Sequence, residues 1–368
     1  SPMMLMRGNG ENLTLQDWLN TRIFPFEDKL TSEAVYYATL LAMAESLRFG
    51  IVSSSDMYYF CDDMVRAVEE SGAKANISRS ITSFAEGSVK NNDSYREAEA
   101  LIRDYHGAAE GRILIDASIH AEYTNTVTSM TEVADLAKKY GVNMHVHVSE
   151  TKQEHEECKA RHGGRTPAQL LCDLGAFDTR TTAAHCVWAE EEDIEIFSEK
   201  GVTVVTCPVS NLKLASGVCN VPALMKKGVN VAIGTDSVAS NNSLNFIEEM
   251  KFFALLNKER RNDPTLITPK ETLRAAARAG ALSQGREDCG VLAVGRKADL
   301  TVLDIGQPHM RPVHNLANNI VYSASGSDVV LTMADGRVLY RDGDFLTIDV
   351  EKAAAETERA CRDILRQL

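Results

Sequence analysis

The sequence predicts an α/β protein, a (β/α)8 TIM barrel whose first strand is expected upstream of Ser1, with a small antiparallel β-domain beside it. Three observations carry that expectation. Short strand-like runs alternate with longer amphipathic stretches from residue 50 to residue 237. Nearly every run ends in a polar residue: Asp56, Arg79, His120, His147 with Glu150, His185, Ser210 and Asp236. Beyond residue 288 the pattern changes to alternating strands joined by Asp-Gly turns.

Repeated strand–helix–strand order implies parallel pairing with right-handed crossovers. A doubly wound open sheet and a barrel both satisfy it. An open sheet gathers its site at one switch point, whereas a barrel collects side chains from the C-terminal ends of many strands. The spread of polar ends selects the barrel.

The segment before residue 30 reads as a loop with a short helix. "LTSEAVYYATLLAMAESLRFG" (30–50) is a long helix with Thr31 as N-cap and Glu33 in its first turn. Strands are expected at 51–59, 74–81, 113–120, 142–150, 181–188, 202–210 and 230–237. Between them lie helices such as "CDDMVRAVEESG" and "MTEVADLAKKYG". The second has Val133, Leu136 and Ala137 at helical spacing, followed by a glycine stop. These are seven strands, and a barrel needs eight. Residues 269–285 are helical; "GVLAVGRKADLTVLD" (290–304) and "DVVLTMADGRVLYRDGDFLTID" (328–349) read as hairpin strands. The expected organisation is a barrel over 1–288, a β-domain over 289–348 and a C-terminal helix over 349–368.

The chain has 368 residues, 44% of them hydrophobic, enough for one large domain and a small one. Its net charge of −13 argues against nucleic acid or an anionic membrane surface as a partner. No apolar run is long enough to span a bilayer. Eight cysteines without a CxxC pair suggest free thiols in a reducing cytoplasm. A homo-oligomer through the helical "FFALLNKERR" region is a further expectation.

The chemistry centres on "MHVHVSE" (144–150). Strand alternation puts His145, His147 and Ser149 on one face, with His147 nearer the barrel mouth and His145 one layer deeper. His185 and Asp236 also end strands. Imidazoles and carboxylates at one mouth suit a borderline divalent ion such as zinc, which lowers the pKa of a water toward ~7. One carboxylate can then accept a proton, and Glu150 can pass one on to the leaving group.

At this point the chain resembles the S-adenosylhomocysteine/5′-methylthioadenosine/adenosine deaminase group of the amidohydrolase superfamily. The resemblance runs through "MLMRG", "LQDWL", "FPFEDKL", "HVHVSET", "AAHCVW", "CPVSNLKLASG", "GTDSVASNNSLNFIEEM", "GRKADLTVLD" and "VYSASGSDVVLTMADGRVL". It implies a soluble metal-dependent enzyme that hydrolyses an adenosine-type nucleoside to its inosine analogue and ammonia. One divalent ion is implied, zinc first, with iron, nickel or manganese as the other candidates. His147 and Asp236 match metal ligands, and Asp236 matches the proton acceptor as well. Glu150 matches the carboxyl that shuttles a proton to the purine ring, and His185 the histidine that orients the attacking water. Trp18 matches an aromatic packed on the nucleoside and Glu27 a ribose-hydroxyl acceptor. Arg79 and His120 match residues lining the sugar or 5′ side, and Ser240 is taken as a substrate-side residue.

The pattern departs from the family at two places. The family's His-x-His motif precedes the segment at which this chain begins, so a strand bearing it is expected ahead of Ser1, with on the order of 50–60 further residues by barrel grammar. Relatives often carry histidine at the position of Thr206. Two other readings compete: another amidohydrolase acting on guanine, cytosine or a chlorinated triazine, and a metal-free homologue serving as a binding protein.

Overall fold

The computed structural model describes every residue from Ser1 to Leu368. Its wall is a curved run of parallel strands. β1 (Ser53–Tyr58), β2 (Lys74–Arg79) and β3 (Ile113–Ile115) pair in that order. β4 (Ala117–Ala121), β5 (Met144–Val148), β6 (Thr181–His185), β7 (Thr203–Thr206) and β8 (Asn230–Ile233) continue it.

The single strand expected over 113–120 is split at Asp116. Its lower half pairs with β2 and its upper half with β5. The buried Asp116 marks the hand-over. Its N–H still donates to the Ile77 carbonyl at 3.0 Å, while the next N–H, of Ala117, donates to Asn143 across the other seam at 2.8 Å. A bridge between Ile81 and Ile119 carries the wall past the break. β3 and β4 therefore occupy one barrel position, and the wall has the seven expected positions.

β1 and β8 are the two edges of this wall and do not pair with each other. A cavity of about 770 Å³ extends between them, from His147 and Asp236 at the mouth to Lys74 and Asp299 at the floor. Residues 1–52 contribute helical segments only, the longest being Ser32–Arg48. Its cap is the expected one: the Thr31 hydroxyl accepts from the Ala34 N–H at 3.2 Å. No helix is long and apolar enough to cross a membrane.

The small sheet is antiparallel, ordered β12 (Asp344–Phe345), β11 (Arg337–Arg341), β10 (Val329–Ala334), β9 (Leu300–Leu303). Both Asp-Gly turns have positive φ at both residues (Asp335 +48°, Gly336 +79°; Asp342 +50°, Gly343 +101°), as a two-residue hairpin of the sheet's twist requires. The strand expected from residue 290 is much shorter. β9 begins only at Leu300, because residues 290–299 pair with no strand; Leu292 is largely exposed and Val294 fully open to solvent.

Barrel and small sheet are joined at the floor by Lys74, the first residue of β2. Its ammonium is buried and lies 2.6 Å from Asp299 and 2.7 Å from Asp335. Removing one partner of a buried ion cluster strands the others in a poor solvent. Lys74→Met is therefore expected to cost roughly 3–5 kcal/mol in urea unfolding. Lys200→Met, which loses a half-exposed pair with Asp178, is expected to cost less than about 1 kcal/mol. Equal losses for the two would show that the floor cluster does not hold the sheet to the barrel.

Candidate active site

Strand register brings the polar ends together. His147 lies opposite Ala184, and Val148 opposite His185, so the two histidines stand side by side on β5 and β6. Their rings stack, with centroids 5.5 Å apart and planes 22° apart. His145 sits one layer deeper, its ring centroid 6.3 Å from that of His147, and burial drives its pKa down to about 3.

Hydrogen bonds decide which ring nitrogen each histidine offers. His147 Nδ1 lies 2.6 Å from the His120 carbonyl oxygen, which can only accept, so Nδ1 carries the proton and Nε2 keeps its lone pair. His120 Nδ1 lies 3.0 Å from the Thr124 hydroxyl, whose oxygen also meets the Ala121 carbonyl and N–H. His185 Nδ1 is 2.8 Å from Asn211 Oδ1. All three rings line the cavity.

Asp236 sits in the turn that follows β8. Its Oδ2 accepts from the hydroxyls of Ser210 (2.6 Å) and Ser240 (2.8 Å), and its Oδ1 from the Ser237 N–H (2.6 Å). Left-handed backbone recurs at these strand ends: Ser149 (φ +49°), His185 (+71°), Cys186 (+49°) and Asp236 (+57°). Each costs a residue with a Cβ on the order of 1–3 kcal/mol and persists only where surrounding bonds impose it. Here the sharp exits from β5, β6 and β8 aim the side chains into one space.

Glu150 is buried, with Oε2 3.8 Å from His185 Nε2 and Oε1 3.4 Å from the Ser216 hydroxyl. Its loop is clamped by Glu154, whose carboxylate accepts the N–H groups of Ser149 (3.0 Å), Glu150 (2.7 Å) and Thr151 (3.4 Å). The two site carboxyls are pushed apart in acidity. Burial, then the Asp236 charge, raises Glu150 to about 7. Burial also raises Asp236, but His185, the Ser210 and Ser240 hydroxyls and His147 more than offset it, leaving Asp236 below the usual carboxylate range.

Of the residues singled out in the sequence, Trp18, Glu27, His120, His147, Glu150, His185, Asp236 and Ser240 all line this cavity. Glu27 is pushed up to about 7 by burial, which outweighs the opposing hydrogen bond from the Tyr58 hydroxyl beside it. Arg79 is not brought in. Its guanidinium lies over the Tyr59 ring, 2.6 Å from Glu97 and 2.5 Å from the Ser80 carbonyl, away from the cavity lining. Sequence reading missed Ser210 and Asn211 as partners of Asp236 and His185. The "PVSN" run directly after a strand was the available signal. It also missed Glu154, for which the T-x-x-E spacing after β5 was the signal.

The donor set fits a divalent ion. His147 offers a free Nε2 and Asp236 an ionised carboxylate, both at the cavity surface, and a buried carboxylate needs a cation to offset its desolvation. Glu122, Cys158 and His162 also cluster, with ligand atoms within 4.8 Å of one another. There Arg161 (2.6 Å) and His162 (2.9 Å) already hold the Glu122 carboxylate, and the cluster is an ion pair.

The sequence pattern of the family described as "Amidohydrolase family" matches residues 2–339. A 5-methylthioadenosine/S-adenosylhomocysteine deaminase of Caldanaerobacter subterraneus subsp. tengcongensis is 41% identical over 365 residues, 99% of this chain and 84% of that protein. A 5′-deoxyadenosine deaminase of Methanosarcina mazei is 39% identical over 366 residues, 100% of this chain and 84% of that protein. Among solved structures, an adenosine deaminase from Xanthomonas campestris with bound zinc superposes with a TM-score of 0.93 at 33% identity, covering 100% of this chain and 83% of that one. A zinc-complexed atrazine chlorohydrolase from Arthrobacter aurescens superposes with a TM-score of 0.88, covering 98% and 85%; at 23% identity that likeness is one of fold alone.

Because Glu154 satisfies three buried N–H groups, Glu154→Ala is expected to cost about 1–3 kcal/mol or more in denaturant unfolding. Thr151→Ala removes only the cap of helix Lys152–Arg161 and is expected to cost about 1 kcal/mol. Indistinguishable losses would mean that Glu154 acts as an ordinary capping residue and does not clamp the Glu150 loop.

Proposed function

The chain belongs to the amidohydrolase family, and from that premise we propose that it hydrolytically deaminates an adenosine-type nucleoside at C6, releasing ammonia and leaving the inosine analogue. The observation that carries this reading is the convergence of His147, His185, Glu150 and Asp236 on one cavity, where burial raises Glu150 to about 7 while Asp236 is held below the usual carboxylate range. Two such groups in one cavity divide naturally into a base and an acid.

In this reading Asp236 accepts the proton of the attacking water. The Ser210 and Ser240 hydroxyls keep its carboxylate charged and oriented while it does so. Glu150, protonated, delivers a proton to the purine ring nitrogen next to C6 and takes back the C6 hydroxyl proton on collapse, while Asp236 hands the proton it took from water to the departing amine. His185 directs Nε2 at the water. Trp18 packs on the base or sugar, and Glu27, beside the Tyr58 hydroxyl, accepts from ribose hydroxyls. His120 faces the sugar side through Nε2. His147 and Asp236 would hold the divalent ion, zinc first, with iron, nickel or manganese as alternatives. When bound, such an ion lowers the pKa of a water and makes it a nucleophile near neutral pH. β1 and β8 leave an unpaired gap in the wall beside these donors.

Relatives named for 5-methylthioadenosine, S-adenosylhomocysteine and 5′-deoxyadenosine support an adenosine-type base with varied 5′ groups. No observation favours guanine, cytosine or a triazine as substrate. The binding-protein alternative leaves Asp236 as a buried carboxylate without purpose.

Two measurements test this. A panel of adenosine, 5′-methylthioadenosine, 5′-deoxyadenosine and S-adenosylhomocysteine, followed by ultraviolet absorbance and ammonia release, is expected to show turnover; turnover confined to guanine, cytosine or atrazine would overturn the reading. Glu150→Gln, which cannot carry a proton, is expected to lower kcat by ~10²-fold or more with metal content near normal. Asp236→Asn is expected to abolish turnover without recovery in excess zinc, and full recovery would make Asp236 a ligand only.

A further inference from the structure

His185 has two nitrogens but only one can point a lone pair at the cavity, and something outside the cavity has to choose. We propose that Asn211 is the positioning residue that makes this choice, locking His185 as the Nδ1–H tautomer so that Nε2 faces the substrate space. The inference rests on the reading of His185 as the residue that orients the water.

Three observations carry it. First, the contact is short and buried: His185 Nδ1 to Asn211 Oδ1 is 2.8 Å, and the two residues are only 2% and 1% exposed. A buried amide oxygen requires a donor, and the imidazole supplies it. Second, Asn211 has no freedom to turn away. Its N–H donates to the Cys207 carbonyl at 2.9 Å, and its own carbonyl accepts from Ser216 at 2.8 Å. Its amide nitrogen faces the Thr206 hydroxyl at 3.5 Å, which leaves the amide oxygen for His185. Third, the far nitrogen is left unengaged. His185 Nε2 stands 3.8 Å from Glu150 Oε2, beyond hydrogen-bond distance, at the cavity surface.

The same helical turn, Pro208–Lys213, also carries Ser210, which donates to Asp236. Two adjacent residues thus set the directions of two site residues that come from different strands. His185 needs this support because its backbone is left-handed at φ +71° and would not hold the ring there unaided.

Long-range proton–nitrogen NMR on zinc-loaded protein labelled with ¹⁵N-histidine reads the tautomer directly and requires no turnover. His185, assigned by its loss in His185→Asn, is expected as Nδ1–H. In Asn211→Leu, similar in size but unable to accept, that signature is expected to disappear. In the same variant kcat is expected to fall roughly 10–100-fold, the scale for loss of a residue that orients a site histidine, with KM little changed. Asn211→Asp restores an acceptor oxygen and is expected to recover both the Nδ1–H signature and most of kcat. A wild-type His185 found as Nε2–H overturns the proposal. So does an Asn211→Leu enzyme with unaltered kcat, or an Asn211→Asp enzyme that folds with wild-type Tm yet lacks the Nδ1–H signature. If no adenosine-type nucleoside is turned over, the functional reading fails, while the tautomer assignment is still decided by the spectrum.

Discussion

The mouth of this barrel depends on one constraint: each buried polar side chain must be satisfied on its outer side before its inner atom is free to meet a ligand. His147 donates outward to the His120 carbonyl, the His120 ring meets the Thr124 hydroxyl, and His185 donates to Asn211. Asp236 spends its outer lone pairs on Ser210, Ser237 and Ser240. An unsatisfied buried group would cost on the order of 1–3 kcal/mol, so the outward bonds fix orientation as well as reduce cost. The three rings line the same cavity.

Charge follows from this arrangement. Asp236 is surrounded by donors and stays ionised in spite of burial, whereas Glu150 has only a long contact to Ser216 and faces the Asp236 charge. Similar burial with different neighbours gives one carboxyl below the usual range and one raised to about 7. The left-handed turns at Ser149, His185, Cys186 and Asp236 belong to the same design, since a regular strand exit would carry these side chains along the wall and not into the cavity. Their strain is tolerated because the surrounding bonds, including the Glu154 clamp on the Glu150 loop, offset it.

Much of this was legible in the sequence because parallel strands write a simple code. A strand's last polar residue marks the mouth, and alternation at period two separates His147 from the deeper His145. Helix Ser32–Arg48 with its Thr31 cap, both Asp-Gly hairpins and the helix Val350–Leu365 could be placed from local signals alone. Those signals act within a few residues, where backbone sterics and capping bonds determine the outcome. Edge effects were not legible. β9 starts ten residues later than its hydrophobic alternation suggests, because a strand needs a neighbour and its pattern cannot supply one.

By itself the sequence determined the order of parallel strands, the residues at their C-terminal ends and the mixed histidine–carboxylate character of the site, all of which follow from local periodicity and residue chemistry. Tertiary structure alone decided which partners those residues meet. Arg79 ends its strand as expected, yet Glu97 on the next helix draws its guanidinium away from the cavity. Ser210, which the sequence marks only as a strand end, and Asn211 become the groups that orient Asp236 and His185 because a short helix after β7 packs them behind β6 and β8. Hydrogen-bond direction and carboxyl acidity depend on atoms 26 residues apart that meet only once the wall is built. No local pattern encodes that distance.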